Sequence, residues 1–213
     1  MAKIFQVSAR AAMAHVIEPI ARRLIGWGVT PNAVTVAGTV GVVAGAIFLG
    51  GLGYYIAGAL VVTLFALVDL VDGTMARLSG GSTRFGALLD STMDRIADGA
   101  VVGTVIYILA GRGDRWGVVA GIICLVTGGV VSYVKARAEG LGLKANVGIA
   151  ERAERLIIVG VGGLLVGFGL QWGFVAAMWF LAAVSTITIW QRMAYVYTQA
   201  KAADAADRAG STR

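Results

Sequence analysis

Six long apolar stretches limit the folds open to this chain more than any other feature. They run from about Ala33 to Leu49, Tyr54 to Val71, Phe85 to Leu109, Trp116 to Val134, Leu156 to Leu170 and Gly173 to Tyr195. Each approaches the ~20 residues that carry a helix across the hydrocarbon core. The composition agrees: 58% of the 213 residues are hydrophobic and 14% are charged, against roughly 25% charged in soluble domains. Glycine, at 31 residues against two prolines, suits close helix contact in lipid, where small residues let backbones approach. The expectation is an all-α integral membrane protein, a six-transmembrane-helix bundle forming one domain over residues 1–213. Residues 31–200 make the bundle, residues 1–30 hold an N-terminal amphipathic interfacial helix, and residues 201–213 form a polar, frayed, flexible tail.

The segment Ser8 to Trp27 mixes basic residues with Ile17, Ile20, Leu24 and Ile25 on one side, the pattern of a helix lying at the headgroups. Its apolar run is broken by Arg10, His15, Glu18, Arg22 and Arg23, so it reads as retained rather than as a cleavable leader. His15 reads as a headgroup contact. Thr30-Pro31-Asn32 ends this helix and starts the next, with proline in the first turn. Lys and Arg gather in the N-terminal segment, in the second and fourth connections and in the tail. The positive-inside rule then puts these in the cytoplasm of a multi-pass plasma-membrane protein. The net charge of +6 is accounted for by that orientation and by anionic substrates, with no nucleic acid expected. Cys124 lies mid-span as packing, and Trp27, Trp116 and Trp172 near span ends read as interfacial belts.

Chemistry is concentrated in Asp69-x-x-Asp72-Gly73-x-x-Ala76-Arg77, followed after eight residues by Gly86-x-x-x-Asp90-x-x-x-Asp94. Residues three or four apart share a helix face, so Asp69 and Asp72 project together from the end of the second span. Asp90 and Asp94 project together from the start of the third. A short reversing connection joins the two antiparallel, letting both pairs meet. Acids at membrane depth are costly and are usually functional, and four facing one another stay charged only beside cations. Carboxylate oxygens are hard ligands suited to Mg²⁺, with Mn²⁺ the alternative, and four negative charges balance two such ions. Gly73 and Gly86 keep the floor clear for a nucleotide, and Arg77 offers a fork to a pyrophosphate. Ser82 and Thr83 precede Gly86, and their hydroxyls serve either a nucleotide phosphate or the loop turn itself. Asp98, a further turn on, falls outside the pattern and reads as a residue behind the ligands or bonded to water rather than as a ligand.

This segment resembles, position for position, the signature of the CDP-alcohol phosphotransferases, membrane enzymes of phospholipid synthesis. The resemblance implies transfer of a phosphatidyl group from CDP-diacylglycerol to an alcohol, with release of CMP. It also implies roles: Asp69, Asp72, Asp90 and Asp94 at the metals, Asp94 as general base, and a homodimer among membrane lipids. Contacts to the CDP-lipid would come from Pro31, Asn32, Asp69, Asp72, Gly73, Arg77, Thr83 and Gly86.

A second basic cluster bears on the alcohol. Lys135 and Arg137 end the fourth span, Glu151-Arg152-Ala153-Glu154-Arg155 opens the fifth, and Arg192 lies near the end of the sixth. A neutral alcohol needs no such charge, whereas a phosphorylated one does. Lys135, Arg137, Arg155 and Arg192 are the candidate acceptor-phosphate residues, while Lys144 and Arg152 read as solvated. The string from Ser132 to Glu139, with that from Glu151 to Ile157, is similar to the actinobacterial phosphatidylinositol-phosphate synthases, which use inositol phosphate. Ala153 departs from that subgroup's usual proline. Within the family the alternative is phosphatidylglycerophosphate synthase, acting on glycerol 3-phosphate. From other classes, a cation transporter would need a polar path through the remaining spans, and a scaffold would dimerise through stripes such as Gly163-x-x-x-Gly167.

Overall fold

Thr30 shows how the local sequence starts the fold: its hydroxyl accepts from Ala33 N at 3.2 Å, capping a helix with Pro31 in its first turn. The structure, a computed structural model, describes residues 17–211. Helix α1 occupies residues 17–26. Then come α2 (Pro31–Ala44), which continues as a π-helical turn over Gly45–Gly50, α3 (Tyr55–Leu78) and α4 (Arg84–Gly111). Helices α5 (Arg115–Gly140), α6 (Arg152–Gly167) and α7 (Gly173–Ser211) complete the described chain. Among the described residues there is no strand. The first half of the expected interfacial helix, with His15, lies outside them.

By length and composition, Pro31–Gly50, Tyr55–Leu78, Arg115–Gly140 and Gly173–Ala205 are able to cross a membrane. The other two expected spans do not meet that measure. Helix α4 carries Asp90, Asp94, Arg95 and Asp98 by its midpoint, and α6 has 16 residues, about 24 Å of helix against a core of about 30 Å. The faces of the long helices are apolar and open, as with Leu60, Leu64 and Leu67 along α3. An apolar surface of that extent suits lipid and would aggregate in water. Where a frayed tail was expected from Lys201, α7 continues as helix to Ser211.

The six long helices close into a ring in which α2 packs on α3 and α4, α4 on α5, α5 on α7, α7 on α6, and α6 on α3. Helices α3 and α4, joined by a short connection, both pack on α2 and face each other across a gap. The core runs through Val42, Val105, Leu109, Cys124, Met178 and Leu181. A smaller cluster seats α1, with Ala21 packed against Val34 and Met75. At the end opposite the aspartates, the Arg112 guanidinium lies 5.4 Å over the Tyr55 ring and donates to its hydroxyl at 2.9 Å. Tyr55 in turn meets Phe174 edge-on at 5.6 Å.

Glycines set the helix spacing. A Cβ on Gly58 would lie 2.9 Å from Gly50 N, and one on Gly162 would lie 2.7 Å from Ala177 Cβ and 3.1 Å from Gly173 O. The Gly163 and Gly167 stripe is turned inward, towards Phe174 and Ile56, so it serves the bundle itself and not a partner. Replacing Gly162 by Val forces α6 and α7 apart. Overpacking of this kind costs ~1–3 kcal/mol. Gly162→Val is therefore expected to melt several degrees below the parent protein in detergent, with an unchanged melting curve contradicting the close contact.

Candidate functional site

Asp72 anchors the site. It is 6% exposed on the inner side of α3, and Thr35 on α2 donates to its Oδ2 at 2.6 Å while also bonding Pro31 O at 3.1 Å. One carboxylate is thereby fixed by the first turn of the neighbouring helix. Carboxylate oxygens of Asp69, Asp72 and Asp90 lie within 4.8 Å of one another, reaching across the gap between α3 and α4. Three hard oxygen donors that close, partly withdrawn from water, repel one another unless a cation joins them, and they are the donor type that Mg²⁺ or Mn²⁺ takes. The residues present therefore fit a divalent ion.

Asp94, expected with this group, is not among the three acids whose oxygens lie within 4.8 Å of one another. Its Oδ1 meets Arg152 Nη1 at 2.7 Å, its Oδ2 lies 3.7 Å from Arg95 Nη2, and it lines the adjoining cavity. Arg152 also makes a close ion pair with Asp69. It thus joins one acid of the cluster to Asp94, and the expectation of a solvated Arg152 is corrected. Asp98, expected to lie outside the ligands, faces arginines: Arg155 Nη2 at 2.7 Å, Arg95 Nη1 at 3.2 Å and Arg152 Nε at 3.8 Å.

The expected nucleotide-side residues gather above the acids. Thr83 caps α4 by accepting from Gly86 N at 2.9 Å. A Cβ at Gly86 would fall 3.0 Å from Thr83 Oγ1 and 3.1 Å from Asn32 Oδ1, so glycine here lets the starts of α2 and α4 approach closely. Gly73 leaves its side of α3 bare, with Arg77 Nη1 3.7 Å from where a Cβ would stand. Arg77 is exposed and donates to Thr74 at 2.8 Å.

Beside the acids, a cavity of about 680 Å³ opens between α4, α5, α6 and α7. Lys135, Arg155 and Arg192 line it, as expected of acceptor-phosphate residues, and so do Arg95 and Arg152. Arg137 does not: it is exposed on α5 and absent from the cavity wall. Lys135 has no hydrogen bond or ion pair among the described residues, which leaves its ammonium available. Arg192, 3% exposed, is differently employed. Its Nε donates to Val147 O at 2.9 Å and its Nη1 to Val131 O at 2.7 Å, tying the loop after α5 to α7. Thr188, which accepts from Ala150 N, and Gln199, bonded to both backbone groups of Lys144, fasten the same loop.

Arg95 and Arg152 were missed, though signals existed. Arg95 is a lone cation inside an acidic stripe that also holds Asp94 and Asp98. Arg152 and Arg155 occupy the first turn of α6, the end where the helix dipole disfavours cations. Two arginines there imply carboxylates opposite.

Comparison with known proteins agrees with this geometry. Residues 28–196 match the family described as CDP-alcohol phosphatidyltransferase. A phosphatidylinositol phosphate synthase of Mycobacterium marinum is 51% identical over 199 residues, covering 92% of this chain and 85% of the relative. One of Streptomyces avermitilis is 45% identical over 209 residues, covering 94% and 86%. A crystal structure of the Mycobacterium tuberculosis phosphatidylinositol phosphate synthase with CDP-DAG bound aligns with a TM-score of 0.82 at 48% identity, covering 87% of this chain and 95% of that one. The same enzyme in complex with manganese and citrate aligns with a TM-score of 0.81 at 48% identity, covering 85% and 89%.

Proposed function

The chain belongs to the CDP-alcohol phosphatidyltransferases, and from that premise we propose that it transfers the phosphatidyl group of CDP-diacylglycerol to inositol phosphate. The products are a phosphatidylinositol phosphate and CMP. The observation that carries the choice of acceptor is the cavity next to the acids, walled by Arg95, Lys135, Arg152 and Arg155. Such a wall suits a phosphate dianion and is wasted on a neutral alcohol. The relatives named above, similar over most of their length, support the same choice.

In this reading Asp69, Asp72 and Asp90 hold a divalent ion, Mg²⁺ or Mn²⁺, with Asp94 completing a two-ion set. Such ions would neutralise charge on the pyrophosphate and on the departing CMP oxygen. Gly73 and Gly86 admit the nucleotide against the backbone, Asn32 and Thr83 contact it from beside Gly86, and Arg77 pairs with its phosphates. Asp94 lies where the acids meet the cavity and accepts the proton of the attacking hydroxyl. The acceptor oxygen bonds to the lipid phosphorus as the bond to CMP breaks. Arg155 and Lys135 hold the acceptor's phosphate, and Arg192 keeps the cavity's far wall in place. The six helices all cross the membrane, α4 and α6 with their polar ends at the cytoplasmic face, and the N-terminal helix lies on that face. A homodimer would use a surface other than the inward-facing Gly163 and Gly167.

The test is CMP release by purified protein given CDP-diacylglycerol and Mg²⁺ with inositol phosphate, free inositol or glycerol 3-phosphate. Inositol phosphate is expected to support turnover, and free inositol little or none. Preferential use of glycerol 3-phosphate would replace the acceptor assignment, and turnover with none of the three would remove the enzyme reading.

A further inference from the structure

We propose that Asp98 is the positioning residue of the acceptor cavity, gathering Arg95, Arg152 and Arg155 into one array that selects an acceptor bearing a phosphate dianion. The proposal rests on the reading of the acceptor as a phosphorylated alcohol. Asp98 stands apart from the acids that fit an ion: its neighbours are three guanidinium groups from two helices. Each of the two better-held arginines has a second attachment, on α5. Arg155 Nη1 donates to Gly128 O at 3.0 Å, and Arg95 Nη1 bonds Ser132 Oγ. Gly128 makes room for this, since a Cβ there would lie 3.2 Å from Arg155 Nη1. Carboxylate on one side and α5 on the other therefore fix where these cations point.

Two of their N–H groups lack acceptors. Arg155 is 7% exposed, and its Nε is buried without a hydrogen-bond acceptor, as is Arg152 Nε. A buried donor left unmade is costly, and these donors sit on the wall of an open cavity. Acceptor oxygens of a phosphate supply what they lack. Without Asp98, three guanidinium groups at short range in a poorly solvated wall repel and turn outwards. The excess positive charge would remain, and its aim would be lost. Asp98 thus acts through the arginines and touches no reacting atom.

Asp98→Asn keeps the shape and removes the charge. The apparent KM for inositol phosphate is expected to rise by ~10-fold or more, the scale of one charge-assisted hydrogen bond, with kcat and the KM for CDP-diacylglycerol nearly unchanged. Inorganic phosphate is expected to raise the melting temperature of the parent protein and not that of the variant, while Mn²⁺ raises both. Asp98→Glu is expected to restore part of the phosphate response. Should Asp98→Asn fail to fold, Gly128→Ala displaces Arg155 without altering charge and is expected to raise the same KM by a smaller factor. An unchanged acceptor KM, or kcat, both KM values and melting temperature all worsening together, would overturn the proposal. Failure of the acceptor reading looks different: the parent protein itself would not prefer inositol phosphate to free inositol, and the Asp98 proposal would fall with it.

Discussion

Asp94→Asn is expected to reduce phosphatidyl transfer by roughly 10²–10⁴-fold, the usual contribution of a positioned general base, while CDP-diacylglycerol still binds. Asparagine fills the same volume but cannot accept the proton of the acceptor hydroxyl. The local structure survives the change, because Arg152 retains Asp69 and Asp98, and Arg95 retains Asp98. The measurement is initial CMP release at saturating acceptor, alongside binding of CDP-diacylglycerol to the same preparation. Near-normal turnover in the purified variant would remove Asp94 as the base. Loss of liponucleotide binding in parallel would move it to the set of residues that build the nucleotide site.

Asp72→Asn is expected to abolish measurable activity at ordinary Mg²⁺ concentrations. This carboxylate is the most buried of the clustered acids and is fixed by Thr35, so no neighbouring side chain replaces it. Thr35→Val provides the graded comparison. It leaves the carboxylate in place and removes its outer hydrogen bond, a change that typically costs ~10–100-fold in metal affinity. The two variants are read in a Mg²⁺ titration of CMP release. Thr35→Val should recover much of its rate at high Mg²⁺, and Asp72→Asn should not. Recovery of both to the same plateau would mean that Asp72 is a helix brace and not a ligand.

The parts of this molecule legible in the sequence are those set by short-range spacing. Asp69 with Asp72, and Asp90 with Asp94, announce shared helix faces because three- and four-residue intervals need no knowledge of the rest of the chain. Thr30-Pro31 announces a helix start for the same reason. Ring order was not legible: the wedging of α2 between α3 and α4 is a long-range packing outcome, allowed by glycines such as Gly45 and Gly58 that every span contains in some number. Arg152 illustrates the harder case. In sequence it belongs to a mixed run of Glu and Arg that reads as solvated, and only the fold brings Asp69, Asp94 and Asp98 to it. Arg137 and Lys135 share a span end, yet only Lys135 points into the cavity, a difference of helical phase that charge counting does not see. The helix beyond Lys201 was obscured by its polar, alanine-rich composition, which suits an exposed helix as well as a frayed end.

Binding of Mn²⁺ to the detergent-purified protein, followed by loss of the free ion's electron paramagnetic resonance signal, tests the aspartate cluster most directly. The parent protein is expected to take up Mn²⁺ saturably, more tightly with CDP-diacylglycerol present, and Asp69→Asn to lose both the uptake and its enhancement. Equal uptake by Asp69→Asn and the parent protein, with the same response to the liponucleotide, would contradict the account.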